Sequence, residues 1–206
     1  MTIISLSLFL AIAAPVSAQV WSVLDYGAKG DGVAKDTEAI QAAVDAAHAA
    51  GGGKVVLPAG EYLSGSVYLK NNIELHLAEG AVLKGSPDLE DYCPSDCFPQ
   101  NYSSPRTSEN ISGGHLILGV GLRNVTLSGP GKIDGNSRHF FLHGNYVDVG
   151  KKVTLPDRPG QMIWFADCKN IRIKDLEIAQ APYWSCFLIN CEYVWITGCK
   201  VHTERE

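Results

Sequence analysis

Asp175 and Glu177, two residues apart in this 206-residue chain, look like the paired carboxylates that general acid–base chemistry uses. Just upstream, Arg172 and Lys174 flank Ile173 and could grip an acidic ligand, although two solvated cations beside one buried residue would read the same way. His139 and His143 have the i, i+4 spacing of metal ligands on a helix face, but no Glu follows His139 and no third ligand is evident, so no metal and no cofactor are expected. Gly27, Gly30 and Gly32 suggest a phosphate cradle. Their spacing is not that of a dinucleotide site, and no acidic residue follows in the right place.

The element that must position these groups decides among them. Residues 162–201 register on themselves when shifted by 23, so that Cys168 falls on Cys191, Ile171 on Val194, Ile173 on Ile196, Leu176 on Cys199 and Ile178 on Val201. Apolar residues alternate with period two within each copy, but the phase slips between Ile173 and Leu176, which marks a corner near Lys174 and Asp175. Two short strands joined by a bend, repeated about every 23 residues, describe one coil of a parallel β-helix. The pattern recurs from Asn124, two periods before Asn170, and again from Asn72, where a spacing of 52 requires an inserted loop in residues 85–113. A second insertion spans 137–160. On this reading Asp175 lies in a corner, and Glu177 lies on an outer face beside Lys200, where a cross-coil ion pair is expected.

The first residues carry an apolar run from Ile3 to Ala14, a Pro15 breaker and Val16-Ser17-Ala18, the pattern of a secretory signal cleaved after Ala18. The expected organisation is a signal peptide at 1–18 and a partial parallel β-helix at 19–206, in a secreted or periplasmic protein with no membrane attachment after cleavage. A net charge of −5 argues against a nucleic-acid partner. In an oxidising compartment, cysteines pair more readily than they bind metal, and Cys93, Cys97, Cys168 and Cys191 are disulfide candidates. Cys168 and Cys191 should be one strand spacing apart, roughly 4.8 Å, which suits a disulfide or a stacked pair of buried thiols equally. Ile40, Ala43, Val44 and Ala47 form one apolar face of a helix over about 37–50, capped by Asp36 or Thr37 and ended by Gly51-Gly52-Gly53. Such a helix would cover the first coil, because a solenoid must hide its terminal core and strand edge.

Four stretches carry a family resemblance: VLDYGAKGDGVAKDTEAIQAAVDAA, GSVYLKNNIELHLAEGAVLKGS followed by DYCP, NVTLSGPGKIDG, and NIRIKDLEIAQAPYWSCFLINCEYVWITGCKV. In this order they resemble glycoside hydrolase family 28, the polygalacturonases and related pectinases, over nearly all of residues 19–206. The resemblance implies a right-handed parallel β-helix with an amino-terminal capping helix, cleaving α-1,4-galacturonan by inversion, with pectic polysaccharide as its partner and a monomeric full-length form. It also implies an Asn-x-Asp-Gly motif, an Asp-Asp pair, a Gly-His-Gly and an Arg-x-Lys beyond them, none of which is present in its place. Arg172-Ile173-Lys174 has the right letters, but it precedes Tyr183 and Trp184, whereas the family's version follows the catalytic motifs.

The chain therefore reads as the amino-terminal part of such an enzyme, with no catalytic residues of its own and with Tyr183, Trp184 and His202 as candidate substrate contacts. A non-catalytic polysaccharide-binding or structural β-helix is the alternative, as is a lyase on the same scaffold, which would need calcium and a basic residue. Asn101, Asn110 and Asn124 begin glycosylation sequons.

Overall fold

The structure, a computed structural model, describes residues 19–94, 97–98, 112–141 and 157–203. His143, Asn101 and Asn110 lie outside them, as does the expected signal peptide. In chain order the elements are β1 (Val20–Ser22), β2 (Asp31–Lys35), α1 (Thr37–Ala49), β3 (Gly53–Leu57), β4 (Gly60–Ser64), β5 (Val67–Tyr68), β6 (Ile73–Leu77), β7 (Ala81–Gly85), β8 (Ile117–Val120), β9 (Arg123–Ser128), β10 (Lys132–Asp134), α2 (Ser137–Phe140), β11 (Ile163–Ala166), β12 (Lys169–Lys174), β13 (Glu177–Ala179), β14 (Cys186–Ile189), β15 (Glu192–Thr197) and β16 (Lys200–His202).

The strands form three parallel sheets that wind as a right-handed β-helix. The first sheet runs β1-β3-β6-β9-β12-β15, the second β2-β4-β7-β10-β13-β16 and the third β5-β8-β11-β14. The 23-residue register holds residue by residue: Ile171 pairs with Val194, Ile173 with Ile196 and Ile178 with Val201. One coil back, Ile171 pairs with Val125 and Ile173 with Leu127, and Leu127 stacks on Leu75 across the 52-residue spacing. Alternation puts Ile73, Leu75 and Leu77 of β6 in the core and turns Glu74 and His76 outward. Each core residue thus lies under its counterpart in the next coil, and apolar columns fill the interior.

Corners are made by residues in the left-handed region. Asn72, Asn124 and Asn170 have φ of 61°, 57° and 60° at the entry to the first sheet, and Tyr193 occupies the equivalent place in the next coil with φ 56°. Asparagine tolerates this conformation better than most residues, and here the side chains also bond to one another. The Asn170 amide donates to Asn124 at 2.7 Å, and the Asn124 amide donates to Asn72 at 2.8 Å. The phase slip is the corner at Asp175, with φ 62°.

Helix α1 buries Ile40, Ala43, Val44 and Ala47 against β1, β3, β5 and β6 and closes the first coil as expected. Asp36 is the N-cap residue, its carbonyl accepting from Ile40 N–H at 2.9 Å, but its side chain makes no cap bond. The Asp36 carboxylate instead accepts the backbone N–H groups of Lys29 (2.7 Å) and Gly30 (3.0 Å), fixing the glycine-rich loop, while the Thr37 hydroxyl accepts from Gly65 N–H at 2.9 Å. All six cysteines are free thiols, so the disulfide candidates Cys93, Cys97, Cys168 and Cys191 form no bond. Cys168 and Cys191 do stack in adjacent coils, but each sulfur turns to a carbonyl of its own coil, Ala166 O at 3.1 Å and Ile189 O at 3.4 Å. Burial pushes the Cys168 thiol up to about 11, which keeps it protonated.

Val44 is fully buried where α1 meets the coil. Val44→Asp places an unpaired carboxylate there and should lower the unfolding free energy in urea by more than about 3 kcal/mol. A loss below about 1 kcal/mol would show that the helix is not the cover of the stack.

Candidate functional site

The outer face of the second sheet carries a cleft of about 270 Å³ lined by polar and charged residues and Ala179. Alternation creates it. Because Leu83, Ile133, Ile178 and Val201 point inward, Lys84, Lys132 and Asp134, Glu177, and His202 must point outward from β7, β10, β13 and β16. The rim is built by the bends that follow β10 and β13. Asn136 turns the chain with φ 55°, its N–H bonding to Asp134 at 2.9 Å and its amide to Gly85 O at 3.0 Å. Helix α2 then carries Arg138 to the cleft, held by Ser137, whose hydroxyl donates to Gln180 Oε1 at 2.9 Å.

Cations and carboxylates alternate across this face. His202 Nε2 lies 3.1 Å from Glu177 Oε1, Lys132 lies 3.4 Å from Asp134, and Lys84 lies 2.9 Å from Glu61. The His202 hydrogen bond, helped by Lys200, His202 and Lys132, holds the Glu177 carboxyl below its usual range. Glu177 is therefore ionised at neutral pH and cannot serve as a proton donor. It is register partner of Lys200, as expected, but its hydrogen bond goes to His202.

The candidate contacts read from the sequence separate into two places. His202 lines the cleft, whereas Tyr183 and Trp184 lie on the bend between the second and third sheets, with rings stacked at 5.5 Å. Tyr183 covers the buried Arg158 guanidinium, 5.6 Å from its ring, and Trp184 is half exposed and leans on Phe187. Arg172 and Lys174 are exposed on either side of buried Ile173. His139 packs edge-on against Phe140, and among the described residues no group of three ligating side chains could hold a metal. No local motif marks Lys84, Lys132, Asp134, Asn136, Arg138 and Gln180 as contacts, although extending the register from Ile178 back to Ile133 aligns the strands that carry several of them.

A second cluster covers the outer face of the third sheet. Trp164 is sandwiched between His115 at 4.9 Å and Phe98 at 5.9 Å, and Tyr68 meets Phe98 edge-on. His115 is fully buried, and its Nδ1 lies 2.8 Å from Gln161 O, consistent with donation to that carbonyl. Burial lowers its pKa to about 4.

Residues 20–91 match the family model described as rhamnogalacturonase A/epimerase, pectate lyase-like. The match takes in the first coils of the stack. Among curated relatives, the chain is 34% identical over 121 residues to an exo-poly-alpha-D-galacturonosidase of Dickeya chrysanthemi, covering 57% of the chain and 20% of the relative. A mannuronan C5-epimerase of Azotobacter vinelandii is 39% identical over 134 residues, covering 62% and 24%. A probable polygalacturonase of Vitis vinifera is 27% identical over 186 residues, covering 87% and 36%. The chain thus spans about a fifth to a third of the length of these relatives.

Among solved structures, a putative glycosyl hydrolase from Parabacteroides merdae superposes with a TM-score of 0.70 at 26% identity, covering 89% of this chain and 75% of that one. An exopolygalacturonase from Thermotoga maritima superposes equally well, 0.70 at 24% identity, covering 91% and 48%, and speaks for the fold alone. The resemblance to the polygalacturonases read from the four stretches is found again among these relatives.

Because the folded pKa of His115 lies below its ordinary value of 6.5, the unfolded chain takes up the proton first. The stabilising difference is complete above pH 6.5 and is lost as pH falls toward 4, by on the order of 3 kcal/mol in total. Urea unfolding across this window should show the loss, and His115→Phe should flatten the curve. An equal slope in that variant would place the titration elsewhere.

Proposed function

We propose that the chain belongs to a secreted hydrolase of pectic polysaccharide, of the polygalacturonase type. The cleft on the second sheet carries the reading: an elongated parallel scaffold presents Lys84, Lys132 and Arg138 beside hydrogen-bonding Asn136, Gln180 and Asp134. Cations of this kind suit the carboxylates of a uronate polymer, and the amides and acids suit its hydroxyls. The names of the Dickeya and Vitis relatives point to the same polymer.

Inverting hydrolysis requires one carboxylic acid that still holds its proton and one carboxylate far enough away to admit a water. With Glu177 tied to His202 as an anion, it cannot supply the proton of such a pair. In this reading the cleft residues bind and orient substrate, and the acid and base come from outside the described residues. The chain of residues 1–206 should release no reducing sugar from polygalacturonate, because general acid–base catalysis contributes about a hundred- to ten-thousand-fold per group. Measured turnover would overturn this assignment and return the roles to Asp134, Asp175 and Glu177.

The similarity to a mannuronan C5-epimerase favours a second reading, in which the same scaffold abstracts a proton beside the uronate carboxylate. Once abstracted, the proton either returns to the other face and inverts C5 or is followed by loss of the 4-O leaving group, which leaves an unsaturated, ultraviolet-absorbing end; hydrolysis does neither, so ultraviolet absorbance and proton NMR of the same digest separate the readings. Export is tested by the amino terminus of protein recovered from the medium or periplasm, which should be Gln19. A start at Met1 would refute cleavage after Ala18.

A further inference from the structure

The outer face of the first sheet is built differently from the cleft. Strands β9, β12 and β15, with sequences RNVTLS, KNIRIK and EYVWIT, bring Arg123, Lys169, Arg172 and Lys174 together against two carboxylates, Glu192 on β15 and Glu74 on neighbouring β6. This cationic surplus stands on a chain of net charge −5. Two aromatic rings rise from the same face. Tyr193 is 62% exposed and Trp195 45%, and the rings lie nearly parallel, 6.4 Å apart and inclined by 17°.

The register sets a cation over each ring. Arg172 pairs with Trp195 in adjacent strands, its guanidinium 5.2 Å from the ring centroid, and the Lys169 ammonium lies 5.1 Å from that of Tyr193. Lys169 is held on its other side by Glu192 at 2.8 Å. Arg172 and Lys174 are exposed and project from one strand about 7 Å apart, with Lys174 acting across the coils on the Glu74 carboxyl. Rings held by cations in this way are preorganised, which reduces the ordering cost of binding.

We propose that this face is a second binding surface for an acidic polysaccharide, separate from the cleft on the second sheet. Tyr193 and Trp195 take the C–H faces of the sugar rings, and Arg172 and Lys174 take the carboxylates. A neutral glycan would leave the cations unmatched, and a small anion would leave the rings bare. The uronate class rests on the function proposed above. The location on the first sheet does not.

Affinity electrophoresis of the whole chain through gels containing polygalacturonate, alginate, neutral dextran or duplex DNA tests it. Polyuronate should retard the parent and dextran should not. Arg172→Gln with Trp195→Ala should weaken polyuronate binding by about tenfold, and Trp195→Phe should retain it. Both positions are on the outer face, and unchanged circular dichroism establishes that the coils remain intact. Parent-like binding by the double variant, with loss in Lys84→Gln/Arg138→Gln, overturns the second surface and leaves the proposed function standing. Absence of polyuronate binding by the parent overturns both. Equal retardation by DNA reduces the face to a nonspecific cationic patch and overturns the proposal as well.

Discussion

A solenoid of this kind depends on one constraint: every coil must turn its corners at the same height, or no strand meets its neighbour in register. Turning within one or two residues forces the backbone into the left-handed region, which side chains with a Cβ generally avoid. Asn72, Asn124 and Asn170 meet that cost with a chain of amide hydrogen bonds running along the axis. The amides also act as a ruler. A coil slipped by one residue would break the side-chain bond and turn each core column out to solvent, so polar corner and apolar column enforce the same register.

Everything on the surface follows from that alignment. Once Leu83, Ile133 and Ile178 are stacked inside, the residues between them are stacked outside, and a cleft becomes a set of rows rather than a pocket closed by loops. Lys132 stands beside Glu177, and Asp134 beside Ala179, because the backbone leaves no other arrangement. The two insertions do the remaining shaping. The bend after β10 brings in Asn136 and Arg138, and the segment after β7 supplies Phe98 to close over Trp164. A scaffold of uniform repeats therefore obtains its chemical variety from outward positions and from interruptions.

The fold was legible because stacking imposes a sequence period. Ile171 and Val194 announce their contact by a spacing of 23 residues alone, and the phase slip beside Asp175 announces its corner. The covering helix was legible for the same reason, as a periodic apolar face on α1. The site was legible only in part. His202 was found by its place near the cleft, but insertions displace the register before Met162 and hid the row joining Lys84 to Asp134. Side-chain direction was not legible at all. Asp36 does cap the helix, but its carboxylate serves the neighbouring loop, and two stacked cysteines that could equally have bonded stay thiols that also reach carbonyls. Those choices depend on local competition among acceptors, which spacing does not encode.

The asparagine corner has a consequence for covalent tailoring. Asn124 opens the triplet Asn124-Val125-Thr126, which eukaryotic oligosaccharyltransferase reads as an acceptor, and the nitrogen it would modify is the one donating to Asn72. With Thr126 drawn into β9 between two neighbouring strands, the extended triplet is also no longer free to enter an enzyme. Tailoring and winding thus compete for a single nitrogen atom. In a host that attaches glycans during translocation, the order of the two events decides the product: a coil that closes first keeps its amide ruler, and one that is captured first carries a sugar where the next turn of the spiral must lie.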